Sequence, residues 1–118
     1  MEFYFQEVDR SVLILTADGG LNADVADDFV RQLEALIESG VTQMIIDLSR
    51  LTYISSYGIG MLVRLPHRLK KNGGNVKLAA PQSAILKVLN VVRLGAVFEI
   101  YPDLNAARLA FRPIDPKS

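Results

Sequence analysis

Cysteine is absent from the 118-residue chain, which removes disulfides, thiolate metal ligands and cysteine nucleophiles together and fits a reducing cytoplasm. Histidine occurs once, as His67. No second ligand and no serine–aspartate constellation is implied by its spacing, so metal or acid–base catalysis is not supported, and His67 is expected on the surface. Charge of one sign is missing too: thirteen basic and thirteen acidic residues cancel to zero. No global field therefore draws the chain to nucleic acid or an anionic membrane, and partners must be recognised locally. No apolar run approaches the ~20 residues of a membrane span, and the opening Met1-Glu2-Phe3-Tyr4-Phe5-Gln6-Glu7 is acidic and too short in its apolar run for a signal peptide. Low-complexity tracts and internal repeats are absent as well. The expectation is a cytoplasmic protein without membrane insertion or direct nucleic-acid contact.

Half of the residues are hydrophobic and the mean hydropathy is +0.23, enough for one domain to bury a core without staples. Residues 1–112 are expected to form that domain and 113–118 a flexible C-terminal tail. Phe3–Val8 and Ser11–Thr16 flank Asp9-Arg10 as a β-hairpin or at least two adjacent strands, with Phe3, Tyr4 and Phe5 facing alternate sides. After a break at Gly19-Gly20, the steps between Val25, Phe29, Leu33, Leu36 and Ile37 predict an amphipathic helix that Gly40 stops. Gln43–Leu48 is the next strand. From about Ser56, Ile59, Leu62, Val63 and Leu69 mark a second helix ended by Asn72-Gly73-Gly74. Pro66 inside it predicts a bend or split near Leu65, and the segment is retained as one helix. Val76–Ala79 is a strand, Gln82–Val92 a helix with Ile85, Val88, Leu89 and Val92 inward, and Val97–Tyr101 a last strand. Asp103 then caps a terminal helix whose apolar contacts come from Leu104, Ala107, Leu109 and Phe111. The order β-β-α-β-α-β-α-β-α predicts a single α/β domain with a mixed sheet, largely parallel after the N-terminal hairpin, packed with about four helices.

Chemistry concentrates where Asp47-Leu48-Ser49 ends a buried strand and Tyr53-Ile54-Ser55-Ser56-Tyr57-Gly58-Ile59-Gly60 opens a helix. A helix start offers unpaired N–H groups and the positive end of the macrodipole, so phosphate on Ser55 or Ser56 is electrostatically favoured, and physics alone does not choose between them. Without further context Ser56 is an ordinary N-cap. Tyr57, Ile59 and Met61 offer an apolar contact ring, and Gly58 and Gly60 permit close backbone approach.

Over nearly its whole length the chain resembles the STAS domain, shared by anti-sigma-factor antagonists of bacterial partner-switching systems and the cytoplasmic tails of sulfate transporters. The resemblance is sharpest in Asp47-Leu48-Ser49, Tyr53-Ile54, Ser55-Ser56 and Gly58-Ile59-Gly60. It implies that Ser56, two residues before the glycine, is phosphorylated by an anti-sigma factor that is itself a serine kinase. The unphosphorylated antagonist binds that kinase and frees the sigma factor; the phosphorylated form lets go, and a serine phosphatase resets the cycle. The chain is then substrate and not enzyme, without a cofactor of its own. The implied partner-binding residues are Asn22, Asp24, Ser55, Ser56, Tyr57, Gly58, Ile59 and Met61. Two positions depart from the family pattern. Ser55 stands where many antagonists carry aspartate, and Gly19-Gly20-Leu21-Asn22 places an amide where Gly-x-Leu-Asp has a carboxylate, with Asp24 near enough in sequence to substitute electrostatically. The alternative is a STAS subunit that binds the ATPase of a membrane transport complex without phosphate turnover.

Other clusters carry blander expectations. Asp24, Asp27 and Asp28 offset the dipole in a first helical turn and are solvated rather than metal-binding. Arg64, His67, Arg68, Lys70, Lys71 and Lys77 lack interleaved aromatics and form a solvated face or interface rim. Gly58-Ile59-Gly60 lacks the lysine of a P-loop and the third glycine of a dinucleotide fingerprint.

Overall fold

Short, near-continuous apolar runs separated by amphipathic helices build a layered sheet. The computed structural model describes residues 2–7 by their backbone alone, and 12–71 and 73–111 with side chains. The elements are β1 (Glu2–Glu7), β2 (Val12–Leu21), α1 (Ala23–Glu38), β3 (Gln43–Asp47), β4 (Leu51–Ile54), α2 (Ser56–Leu62), α3 (Leu65–Lys71), β5 (Asn75–Ala79), α4 (Ser83–Val91), a 3-10 turn (Leu94–Ala96), β6 (Glu99–Tyr101) and α5 (Leu104–Ala110). The expected turn Asp9-Arg10, the side chains of Phe3, Tyr4 and Phe5, Asn72 and the tail from 112 onward lie outside the described residues.

The strand order is β1-β2-β3-β5-β6, with β4 attached to β2. Among the described residues only the β1–β2 pair is antiparallel; β2–β3, β2–β4, β3–β5 and β5–β6 are all parallel. Both faces of the central strands are covered, as parallel strands require. Leu13, Leu15, Met44, Ile46, Val76 and Leu78 face a large core completed by Phe29, Val30 and Leu33 of α1, Leu62, Leu65 and Leu69 of the α2–α3 segment, and Ile85 and Leu89 of α4. Val12, Ile14, Ile45 and Ala79 face a smaller core under Ala107 and Phe111 at α5. Asp103 caps α5 as expected, accepting from the Ala106 N–H at 2.7 Å.

Several elements differ from expectation. Gly19-Gly20 does not end β2. Gly19 takes φ 115° and the β2–β4 register shifts there, so the pair forms a bulge that bends the strand while pairing continues to Leu21. The four-residue strand β4 was not expected. The expected second helix is two, α2 and α3. Pro66, second in α3, has no N–H with which to extend the ladder from α2 and sits in a first turn, where none is needed. Val92 is about half exposed instead of inward, because the chain turns at Arg93 (φ 59°) into the 3-10 turn, and the last strand starts at Glu99 instead of Val97. Leu109 is likewise solvent-facing. Lys77 is no part of a solvated basic face: it is 5 % exposed on β5, its Nζ lying 2.8 Å from Glu99 Oε1 and 4.7 Å from the Phe111 ring centroid.

Candidate functional site

The register that pairs Leu21 with Ile54 makes two helices start side by side, Asn22 leading into α1 and Ser55 into α2. Each is an N-cap: Asn22 Oδ1 accepts from the Val25 N–H at 3.2 Å, and Ser55 Oγ accepts from the Gly58 N–H at 2.9 Å. A direct tie joins the two starts, since the Ser55 N–H donates to the Leu21 carbonyl at 2.9 Å. The turn before β4 is braced as well. Asp47 accepts from the Thr16 hydroxyl and the Ser49 N–H, and Gln82 donates to the Ser49 carbonyl at 2.8 Å.

Capping therefore belongs to Ser55, not to Ser56 as the ordinary reading of Ser56 had it. Ser56 is the first helical residue, exposed, and its hydroxyl enters no hydrogen bond among the described residues. Tyr57 beside it is 46 % exposed and donates its phenol hydrogen to Asp27 of α1. That hydrogen bond, with lesser help from burial and the Asp27 charge and against the opposing Arg64 charge, raises the Tyr57 pKa. Gly58 is buried against Leu21; a Cβ there would stand 3.0 Å from the Leu21 carbonyl oxygen. Gly60 has open space around it instead, so the close approach expected of both glycines is made within the domain only by Gly58.

Ile59 and Met61 are half-buried and pack on the large core, which leaves Tyr57, with Tyr53 at 55 % exposure, as the exposed aromatic surface near Ser56. Met61 also lines an open groove of about 330 Å³ between α1 and α2, together with Asp27, Val30, Arg31 and Glu34. Asp24 is exposed in the first turn of α1. The fold thus gathers Asn22, Ser55, Ser56, Tyr57 and Gly58 at one junction and sets Met61 at the groove beside it. Sequence reasoning missed Leu21, whose carbonyl and side chain form the wall of the junction, and Asp27, taken there as merely solvated. Among the described residues no three His, Cys, Asp or Glu side chains are grouped to hold a metal ion.

The STAS domain pattern matches residues 6–107. The chain belongs to the STAS domain family. A Bordetella bronchiseptica protein named as an anti-sigma factor antagonist, BtrV, is 25% identical over 117 residues, 99% of this chain and 100% of that protein. The crystal structure of a Thermotoga maritima protein named as an anti-sigma factor antagonist is 25% identical, with a TM-score of 0.88 over 94% of this chain and 95% of the other. The unphosphorylated anti-sigma factor antagonist SpoIIAA has a TM-score of 0.80 over 97% of this chain and 100% of its own, and at 20% identity that likeness shows the fold alone. In this STAS domain, no helix among the described residues is long and apolar enough to cross a membrane.

Proposed function

We propose that this STAS domain is an anti-sigma-factor antagonist of a cytoplasmic partner-switching pathway, and that Ser56 is its phosphoacceptor. Relatives named as antagonists support the class of function. The observation that carries the residue assignment is the division of labour at the start of α2: Ser55 spends its oxygen on the cap, whereas the exposed Ser56 hydroxyl is uncommitted among the described residues. Unphosphorylated, the junction of Asn22, Asp24, Ser55, Ser56, Tyr57, Gly58, Ile59 and Met61 docks an anti-sigma factor that is a serine kinase. Ser56 Oγ then attacks the γ-phosphorus of ATP held by that partner. The new O–P bond forms as the bond to the ADP oxygen breaks, and the hydroxyl proton passes to a base of the kinase. The product carries roughly −1.5 to −2 additional charges at the contact surface, which opposes re-docking by desolvation and repulsion without refolding the domain. A serine phosphatase restores the hydroxyl by hydrolysis.

The test is peptide mass spectrometry on the protein purified from its native cells with phosphatases inhibited. Phosphate on Ser56 is the expected result. Its consistent absence across growth and stress conditions, with a transport ATPase co-purifying, overturns the proposal in favour of a constitutive STAS subunit of a transport complex.

A further inference from the structure

Two ties hold the inner side of the α2 start, and both end on Leu21: the Ser55 N–H on its carbonyl, and Gly58 packed against its side chain. The outer side, where Ser56 and Tyr57 are exposed, has one described tie, the Tyr57 hydroxyl on Asp27. Leu21 immediately precedes the N-cap of α1 and Asp27 lies in its second turn, so the N-terminal end of α1 and the strand leading into it supply the ties on both the inner and the outer side of the α2 start. An α-helix of seven residues is too short to persist on its own, and tertiary ties decide how its first turn is held. The Ser55 cap fixes the backbone at one end of that turn but leaves the outer side chains free to rotate. Tyr57 follows Ser56 directly, and its ring is the largest exposed group beside that hydroxyl. Anchored on α1, the ring stays to one side; released, it sweeps the surface from which a partner approaches Ser56. Phosphoryl transfer depends on an in-line approach, so a small change in where the nucleophile points has a large effect on rate.

We propose that Tyr57 is a positioning residue for Ser56, and that its hydrogen bond to Asp27 sets the rate at which Ser56 is phosphorylated; this rests on Ser56 being the phosphoacceptor. The raised pKa of Tyr57 agrees with a phenol that stays protonated and donating. The bond needs an acceptor at position 27 and not a charge, because an asparagine carbonyl accepts a phenol proton as well.

The experiment compares the full chain with Tyr57→Phe, Asp27→Ala and Asp27→Asn. Phosphate incorporation at Ser56 is followed by mass spectrometry after adding ATP to native-cell extract with saturating purified protein, and amide hydrogen exchange of residues 56–59 is measured on the purified proteins. Tyr57→Phe and Asp27→Ala are expected to slow phosphorylation about ten-fold and to speed exchange in the first turn of α2. Asp27→Asn is expected to keep both at the wild-type values. Wild-type rates for Tyr57→Phe, or an Asp27→Asn as slow as Asp27→Ala, overturn the positioning role while leaving Ser56 as phosphoacceptor. No phosphate on Ser56 in any of the proteins, the wild type included, overturns both.

Discussion

Gly58 lies so close to Leu21 that an added Cβ would meet the Leu21 carbonyl oxygen at 3.0 Å and the Leu21 Cγ at 3.2 Å. That oxygen also accepts from the Ser55 N–H, so it cannot retreat without loosening the cap residue of α2. Gly58→Ala gains about 1 kcal/mol in helix propensity but meets an overpacking cost of about 1–3 kcal/mol. The expected outcome is a net loss near 1 kcal/mol in urea unfolding, with the Ser55 amide exchanging faster. A variant as stable as the parent with Ser55 exchange unchanged contradicts the close fit.

Gly74 is held harder still. A Cβ there would lie 1.7 Å from the Thr42 carbonyl oxygen, the same oxygen that accepts from the Asn75 N–H at 2.9 Å. The clash is with backbone at the entry to β3 and β5, and no side-chain rotation relieves it. Gly74→Ala is expected to lose more than about 3 kcal/mol, beyond the usual range of single substitutions, read as a large drop in the urea midpoint or a failure to purify folded protein.

Lys77 and Glu99 give the stability a readable pH dependence. The Lys77 hydrogen bond, then the Tyr101 hydroxyl, holds the Glu99 pKa below its ordinary 4.5. A lowered acid stabilises the fold above its unfolded value, and that contribution drains away as pH falls through the folded one. Tyr101, pushed up to about 12 from 10.0 chiefly by its bond to Glu99, contributes below its unfolded value and loses that contribution as pH rises through about 12. Glu99→Gln should flatten the acid limb of a stability–pH curve as pH falls through and below the ordinary 4.5. Equal slopes for the two proteins would exclude Glu99 as its source. Lys77→Met, which replaces a buried ammonium by an apolar chain, should be neutral or stabilising, whereas Glu99→Ala strands the ammonium and should cost about 1–2 kcal/mol, less than for a wholly buried pair because Glu99 is half in water.

Elements with a regular apolar pattern were legible from the sequence: the apolar steps of α1, the continuous apolar runs of β3 and β5, and the Asp103 cap. What escaped was set by contacts distant along the chain. β4 shows a buried-exposed-exposed-buried pattern without alternation, and is a strand only because the bulged end of β2 supplies its partner. Lys77 lay in a basic run until Glu99, Tyr101 and Phe111 closed over it from the far end of the chain. At the junction, resemblance singled out Ser56 and its neighbours, yet a serine pair alone could not say which hydroxyl caps, and nothing local linked Tyr57 to Asp27, thirty residues earlier.

The two serines should separate stability from switching. Ser55 Oγ satisfies the Gly58 N–H, so Ser55→Ala is expected to cost about 1 kcal/mol while most phosphorylation survives. The exposed Ser56 hydroxyl has no such duty, so Ser56→Ala should change stability by less than about 0.5 kcal/mol, retain the unphosphorylated binding to its kinase and accept no phosphate. Ser56→Asp should fold equally well and bind poorly, because a carboxylate brings charge to the contact surface and must be desolvated on docking. Urea unfolding and titration calorimetry against the kinase recovered from the native cells measure the two effects independently. Equal kinase affinity for Ser56→Ala and Ser56→Asp contradicts a charge-operated switch, and loss of all phosphate in Ser55→Ala with Ser56 intact moves the acceptor to Ser55 or makes its cap a requirement of the kinase.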